Sequence, residues 1–569
     1  MTDDREDGAI DLVAEPVRYP RSPLFALLVI ALVPTLGLYA LQRWADDTAD
    51  EYERSRDSLA LLQAETSDAG PDGSDPSTSD LATSGSVTAG PSTPDPSTSG
   101  PVTSGPVPSG PDTSDPATPA GTDASVDTTA PEDDEPAEVL DTGILDFRRT
   151  PDVVALGVSA RRLGAEIEPV LSFLGDDSCG AVAVGESVVA VRNGDTPVIP
   201  ASNQKLLVAA AAIDVLGPDH RFTTSVAVPP PVDGVVDGDI FLIGGGDPVL
   251  TSDDVAPEGD GATEPSVTTS LDRLADSVVE AGVERIRGTV IGDGTRYDDE
   301  FVVDEWAEGI AGVEAGPYDA LFVNDGRVGG RSGRESDPNV AAAREFVRLL
   351  NDRGVRVDNG WGSGVASTIV PIVGSVDSPP LSDVVAEMLA TSDNDTAELL
   401  VKEIGLAAAD VGTRAAGTEA IVAHLERSGL PTEGVVVVDG SGLATSNRLT
   451  CELIVGLLQR VGGGPVDDGL PVAGRTGTLA TELVDSPVAG RLRAKTGTLR
   501  NDPSGEGPPS VKALSGYLDV EDAPDIVFAL IVNQDGITDA TNYQALWSGF
   551  ADRLVTYPSG PGIDDLSPR

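Results

Sequence analysis

The spacing of apolar and polar positions separates an N-terminal part with no core pattern from a body that has one. Residues 22–42 are uncharged and mostly apolar, and about 20 such residues suffice to cross a bilayer as a helix. Pro34 interrupts the run but is tolerated in membrane helices. The rival reading is a cleaved signal peptide. It lacks a small-x-small site, because Leu38-Tyr39-Ala40 carries leucine where a small residue is needed. An uncleaved anchor is therefore expected. Arg5, Arg18 and Arg21 precede the run while Arg43, Arg54 and Arg56 follow it, so charge does not orient it. Residues 66–136 are rich in Ser, Thr, Pro, Gly and Asp, with almost no aromatic or large aliphatic residue. Such a stretch cannot bury enough apolar surface to offset its ordering entropy. It reads as a tether with a reach on the order of 50 Å.

Periodicity returns in the body. Residues 151–167 predict a helix with Thr150 as cap and Pro151 at its first position. Val153, Leu156, Ala160 and Leu163 share one face, and Pro169 is expected to end or kink the run. Residues 179–184 and 187–192 predict two strands joined by a Gly-Glu turn. A helix follows over 203–216, stopped by Gly217-Pro218. Further on come helices over 381–389 and 395–405, strands over 511–520 and 525–533, and an amphipathic helix near 538–555. This order predicts an α+β layer structure whose sheet, lying between helices, collects both chain ends. The expected division is a tail (1–21), an anchor (22–42), a tether (43–139) and a folded body from 140 onward.

Charge narrows the function. The chain of 569 residues carries 37 Lys+Arg against 94 Asp+Glu, a formal charge of −57. Such a surface repels nucleic acid, whose binding depends on neutralising phosphates. The acidity serves solubility through self-repulsion, or else hydration in a saline habitat. Cys179 and Cys451 are too few for a disulfide framework, and two buried free thiols are expected. Only two histidines occur, with neither HExxH nor paired CxxC spacing, so no metal or other cofactor is expected.

Lysine is rarer still. Only four lysines occur, and two sit in short motifs: Ser202-Asn203-Gln204-Lys205 and Lys495-Thr496-Gly497-Thr498. Ser392-Asp393-Asn394 lies between them. In that order the three are the parts of an active-serine enzyme that acylates itself on a peptide or β-lactam carbonyl. A serine hydroxyl needs a base within reach, and a lysine serves only if burial or a nearby cation destabilises its ammonium. Lys205, one turn after Ser202 and expected across a cleft from Lys495, meets both conditions. Ser392 can relay a proton to a leaving nitrogen, and Asn394 can hold Lys205 and bind an amide carbonyl. Lys495, expected to keep its charge, can bind a carboxylate together with the Thr496 and Thr498 hydroxyls. The backbone N–H groups of Ser202 and Thr498 would stabilise an oxyanion. A near copy, Arg475-Thr476-Gly477-Thr478, precedes the third motif and reads as a loop. Gly244-Gly245-Gly246 reads as a turn, since no Gly-Lys-Ser/Thr follows.

Over residues 179–533 the chain resembles the type-4, class C low-molecular-mass penicillin-binding proteins, which are D-alanyl-D-alanine carboxypeptidases and endopeptidases. The likeness rests on the three motifs with residues 200–207, Gly244-Gly-Gly-Asp-Pro248, Asp439-Gly-Ser-Gly-Leu443, Asn447-Arg-Leu-Thr450 and residues 489–498. It implies the penicillin-binding, serine β-lactamase-like transpeptidase fold, with an extra domain inserted between the first two motifs, so that the main domain is 140–218 with 377–560 and the insertion, 219–376, is expected to be strand-rich with helices near 271–281 and 339–352. The insertion is shorter than the family often shows, and the Gly-rich residues 328–333 stand where a further subdomain would be. The resemblance further implies peptidoglycan stem peptides as substrates, β-lactams as inhibitors and a catalytic domain on the extracytoplasmic side of the cell membrane. An esterase, D-amino-acid amidase or β-lactamase of the same fold is the nearest alternative, and a silent wall-binding module the more distant one.

Overall fold

The computed structural model describes residues 151–255, 267–329, 333–500 and 507–559. The expected anchor and tether lie outside them, as do the side chain of Val153 and residues 330–332 of the Gly-rich stretch. Among the described residues no helix is long and apolar enough to cross a membrane.

One antiparallel sheet organises the body. Its strands run in the order Leu492–Leu499, Val511–Leu518, Ile526–Asn533, Cys179–Val184, Ser187–Arg192, so both ends of the described chain meet in it. The central strand Ile526–Asn533 is buried at every position, because both of its faces are covered. Val527, Ala529 and Ile531 point into one core, shared with the helices Gln204–Leu216, Leu381–Thr391 and Cys451–Val461. Ile526, Phe528, Leu530 and Val532 point into the other, shared with the helices Pro151–Leu171 and Ala540–Leu554. The two-residue alternation of a strand sorts these side chains, and the sandwich of helix, sheet and helix follows from it.

The first helix runs through Pro169 to Leu171, so of the two expected outcomes, an end or a kink, the proline does not end it. Pro169 falls in the last turn, where it forfeits one backbone bond, while Leu163, Ile167 and Leu171 stay fully packed in the second core. A correction concerns the cysteines. Cys179 opens a strand, Cys451 opens a helix, and the two form a disulfide with Cα atoms 5.9 Å apart. Both face the same core. Their separation of 272 positions hid this, because packing of the helix onto the sheet, which local patterning does not encode, brings them together.

Between the helices Gln204–Leu216 and Leu381–Thr391 the chain builds a second sheet, in the order Trp361–Ser363, Val290–Asp293, Ile240–Ile243, Thr223–Ala227, Ile372–Asp377. The helices Asp272–Glu280 and Pro338–Asp352 pack on it around a separate apolar core. Thr223 lies opposite Asp377 in the strand register and donates to its carboxylate at 2.7 Å. The segment thus leaves the body and returns to it at one place.

Candidate active site

Ser202 sits in a 3-10 turn, Ala201–Asn203, that feeds the helix Gln204–Leu216. The turn is unusual. Ala201 has φ +48° and is fully buried, a left-handed conformation that costs on the order of 1–2 kcal/mol for a residue with a Cβ. Neighbouring groups hold it there. Gly442 (φ +85°) backs onto the Ala201 carbonyl, where a Cβ would stand 2.0 Å from the oxygen. Gly497 of the edge strand lies against the Pro200 carbonyl, where a Cβ would come to 3.1 Å. Asn203 Nδ2 donates to Ser515 Oγ at 3.1 Å and Gln204 Nε2 to the Asp439 carbonyl at 3.3 Å. The serine is therefore fixed at the helix entrance by residues from three parts of the chain.

Lys205, one turn on, is completely buried. Its Nζ donates to Ser202 Oγ at 3.1 Å, Asn394 Oδ1 at 2.7 Å and the Ser441 carbonyl at 2.7 Å. Burial lowers its pKa to about 8, against the opposing pull of Asp393, Asp439, Glu398 and Asp395. An amine near 8 can exchange a proton with Ser202 near neutral pH. Lys495 is equally buried, on the edge strand, and donates to the Thr496 carbonyl at 3.0 Å. Burial, and then the charge on Lys205, hold its ammonium well below the ordinary lysine range. Desolvation penalises both ammonium groups, and the positive charge on Lys205 adds to the penalty at Lys495. An anion arriving beside Lys495 opposes both effects.

The second motif forms the turn between the helices Leu381–Thr391 and Asn394–Ala409. Ser392 is left-handed (φ 66°) and closes the first helix with its N–H on the Met388 carbonyl. Asp393 caps the second helix by accepting from the Thr396 N–H at 2.8 Å. Asn394 thereby faces Lys205, while its Nδ2 donates to the Glu314 carbonyl at 2.9 Å. That carbonyl belongs to a loop of the inserted segment. The loop is fastened by Asp395, which accepts from Gly316 N and from Arg334, both at 2.6 Å. Among the described residues no hydrogen bond joins the Ser392 hydroxyl to Ser202 or Lys205.

The third motif lies on the edge strand. Thr496 and Thr498 share one face of it. Thr496 is buried, and its hydroxyl bonds that of Thr478 at 2.8 Å. The near copy Arg475–Thr478 is not a strand, and its last two residues enter a 3-10 turn, Gly477–Leu479, that touches the site. Thr498 is exposed, and its hydroxyl accepts from Lys512 Nζ at 3.0 Å.

Sequence reasoning missed the groups behind this arrangement. Asp439 is fully buried and accepts from Trp306 Nε1, Gly442 N, Ala444 N and Asn447 Nδ2 at 2.7–2.9 Å. Glu398 is also fully buried and receives the N–H groups of Gly440 and Ser441. Burial, and then Asp439, push its pKa to about 8. Together the two acids fold the chain at 439–444 so that the Ser441 carbonyl meets Lys205. The motif Asp439-Gly-Ser-Gly-Leu443 was the visible signal, but its spacing alone assigned it no task.

An antiparallel sheet between helices, with a Ser-x-x-Lys turn set beside a Lys-Thr-Gly edge strand, defines the penicillin-binding class of active-serine proteins. The fold agrees with a solved structure. Penicillin binding protein 4 of Haemophilus influenzae superposes with a TM-score of 0.55 at 19% identity, over 68% of this chain and 98% of that one. The family described as D-Ala-D-Ala carboxypeptidase 3 (S13) matches residues 180–334 and 330–554, and the chain belongs to it. Among curated relatives, the D-alanyl-D-alanine carboxypeptidase of Actinomadura sp. (strain R39) is 30% identical over 436 residues, which are 62% of this chain and 76% of the relative. Carboxypeptidase DacB of Mycolicibacterium smegmatis is 29% identical over 367 residues, covering 62% and 74%. Membership makes the chain a peptidase of the hydrolase class.

Proposed function

We propose that the chain is a membrane-tethered serine D-Ala-D-Ala carboxypeptidase acting on peptidoglycan stem peptides outside the cytoplasm. The observation that carries this reading is the buried amine of Lys205, 3.1 Å from Ser202 Oγ with a pKa lowered to about 8. Ser202 Oγ attacks the carbonyl of the penultimate D-alanine while Lys205 Nζ takes its proton. The oxyanion is held by the backbone N–H groups of Ser202 and Thr498. Collapse breaks the C–N bond, and the departing nitrogen receives a proton through Ser392, so terminal D-alanine leaves. Water then cleaves the acyl-serine with Lys205 as base. Asn394 holds Lys205 and the substrate amide, while Lys495, Thr496 and Thr498 take the terminal carboxylate. No metal or organic cofactor enters any step.

Residues 22–42 supply the anchor. The disulfide supports an extracytoplasmic body, because such bonds persist in oxidising compartments. The test is mass spectrometry of the protein after exposure to labelled penicillin, with D-alanine release from a pentapeptide assayed alongside. A stable adduct on Ser202, absent from Ser202→Ala, and release of D-alanine are expected. Failure of penicillin to attach, or equal attachment to Ser202→Ala, would overturn the reading. Rapid turnover of penicillin would favour a β-lactamase, and wall binding without D-alanine release a silent module.

A further inference from the structure

Lys512 is the one lysine near the site that no motif accounts for. It stands opposite Thr498 in the strand register and donates to Thr498 Oγ1 at 3.0 Å. The helix Ala540–Leu554 presents two rings to the same ammonium, with the Tyr543 centroid 3.9 Å and the Trp547 centroid 5.0 Å from Nζ. Tyr543 and Trp547 lie four residues apart, on one face of that helix. Tyr543 is itself secured, its hydroxyl donating to Glu482 at 2.8 Å. In a chain with 94 acidic residues, this ammonium forms no ion pair with a carboxylate among the described residues, and the nearby Glu482 carboxylate, which favours its charge, is bound by Tyr543. The ammonium is held by aromatic faces, which attract a cation without neutralising it.

The chemistry of the pair is directional. An ammonium has only hydrogens to offer, whereas a hydroxyl both donates and accepts. Thr498 Oγ1 must therefore accept from Lys512, and its own hydrogen points away from that ammonium. Thr498 is exposed and shares a strand face with Thr496, while Lys495 lies three positions earlier on the strand. We propose that Lys512 is a specificity-determining positioning residue, which turns the Thr498 hydroxyl into a fixed donor and thereby favours a leaving residue with a free terminal carboxylate. A carboxylate accepts that hydrogen as a charge-assisted bond, about twice as strong as a neutral one. A terminal carboxamide gains less from the same donor. This inference rests on the carboxypeptidase reading and deepens it, since it separates release of a terminal residue from cleavage of an amide-linked one.

The experiment compares two peptides, N-acyl-Lys-D-Ala-D-Ala and the same peptide ending in a carboxamide. It uses the full chain and its Lys512→Met, Lys512→Arg, Thr498→Ala and double Thr498→Ala/Lys512→Met variants, with kcat and KM measured separately. The ratio of kcat/KM for carboxylate over carboxamide is expected to fall about tenfold in Lys512→Met, with KM for the carboxylate peptide rising. Lys512→Arg should restore most of the ratio, and in Thr498→Ala the further change to Met should leave it where it is. Equal loss on both peptides, or the same effect with and without the Thr498 hydroxyl, would overturn the inference while leaving the carboxypeptidase reading intact. If the unmodified chain neither takes up penicillin nor releases D-alanine, the carboxypeptidase reading itself fails and this inference falls with it.

Discussion

The carbonyl oxygen of Ser441 accepts a hydrogen bond from Lys205 Nζ at 2.7 Å, and Glu398 holds that carbonyl in place from behind. Glu398 receives the N–H groups of Gly440 and Ser441 at 3.1 and 2.8 Å in a fully buried setting. Replacing it by alanine strands both donors away from water, at a cost of about 2–4 kcal/mol. Glu398→Gln keeps an acceptor and should lose less. Urea unfolding of both variants, with penicillin acylation rates, checks this. Equal stability for Glu398→Ala and the parent would mean the loop is held by something else.

Lys205 must give up a proton, whereas arginine cannot. Lys205→Arg is therefore expected to abolish acylation, and Lys205→Ala to slow it by about two to four orders of magnitude. Lys495→Arg should retain measurable acylation, because a fixed cation still meets the carboxylate. Labelled penicillin counted on each variant is the readout. Comparable labelling of Lys205→Arg and the parent would remove Lys205 from the base role.

The pH dependence follows from the direction of the Lys205 shift. Its pKa in the folded chain is about 8, below the ordinary lysine value of 10.5. Acylation should rise with pH and level off above about 8, as the free amine becomes the main form. Stability moves the same way over a different window. Between the folded and unfolded values the unfolded chain binds more protons, so this group makes unfolding harder as pH rises from about 8 to 10.5. Below that window both states are protonated and the burial penalty is complete. Acylation profiles, with unfolding curves of parent and Lys205→Met compared across the window, test both parts.

Reduction of Cys179–Cys451 releases a loop closed over 272 positions. A loss of about 2–5 kcal/mol is expected, visible as a lower urea midpoint in reductant. The Cys179→Ala/Cys451→Ala variant should show the lower midpoint with or without reductant. No difference between the oxidised and reduced parent would show that the strand and helix are already fixed by packing.

Asp395 and Arg334 are each only 6% exposed and lie 2.6 Å apart. Removing one partner leaves a buried charge unpaired, which costs about 3–5 kcal/mol. Because this pair fastens the loop whose Glu314 carbonyl holds Asn394, Arg334→Ala should also slow acylation in the protein that remains folded. Acylation rates normalised to folded protein separate the two effects. An unchanged normalised rate would mean that Asn394 is held without the loop.

The sequence by itself indicated many of the elements, though not the helices Arg414–Arg427 and Cys451–Val461 or the edge strand Leu492–Leu499, and it supplied the candidate site residues. Strand alternation placed Cys179–Val184 and Ser187–Arg192 at their observed bounds, and the helix after Ser202 stops at Gly217 as its residues dictate. Three short motifs in the right order named Ser202, Lys205, Ser392, Asn394, Lys495, Thr496 and Thr498. These are local signals, carried by residues a turn or a pleat apart, and local sterics suffice to read them. Tertiary structure alone decided what meets across long intervals: Cys179 with Cys451, the Ser441 carbonyl with Lys205, Glu314 with Asn394, Thr478 with Thr496, and Lys512 with Thr498. It also decided that both buried lysines hold their protons less firmly than a free lysine, because desolvation and, at Lys495, like-charge repulsion depend on what packs around each ammonium. Spacing along the chain carries no record of that packing.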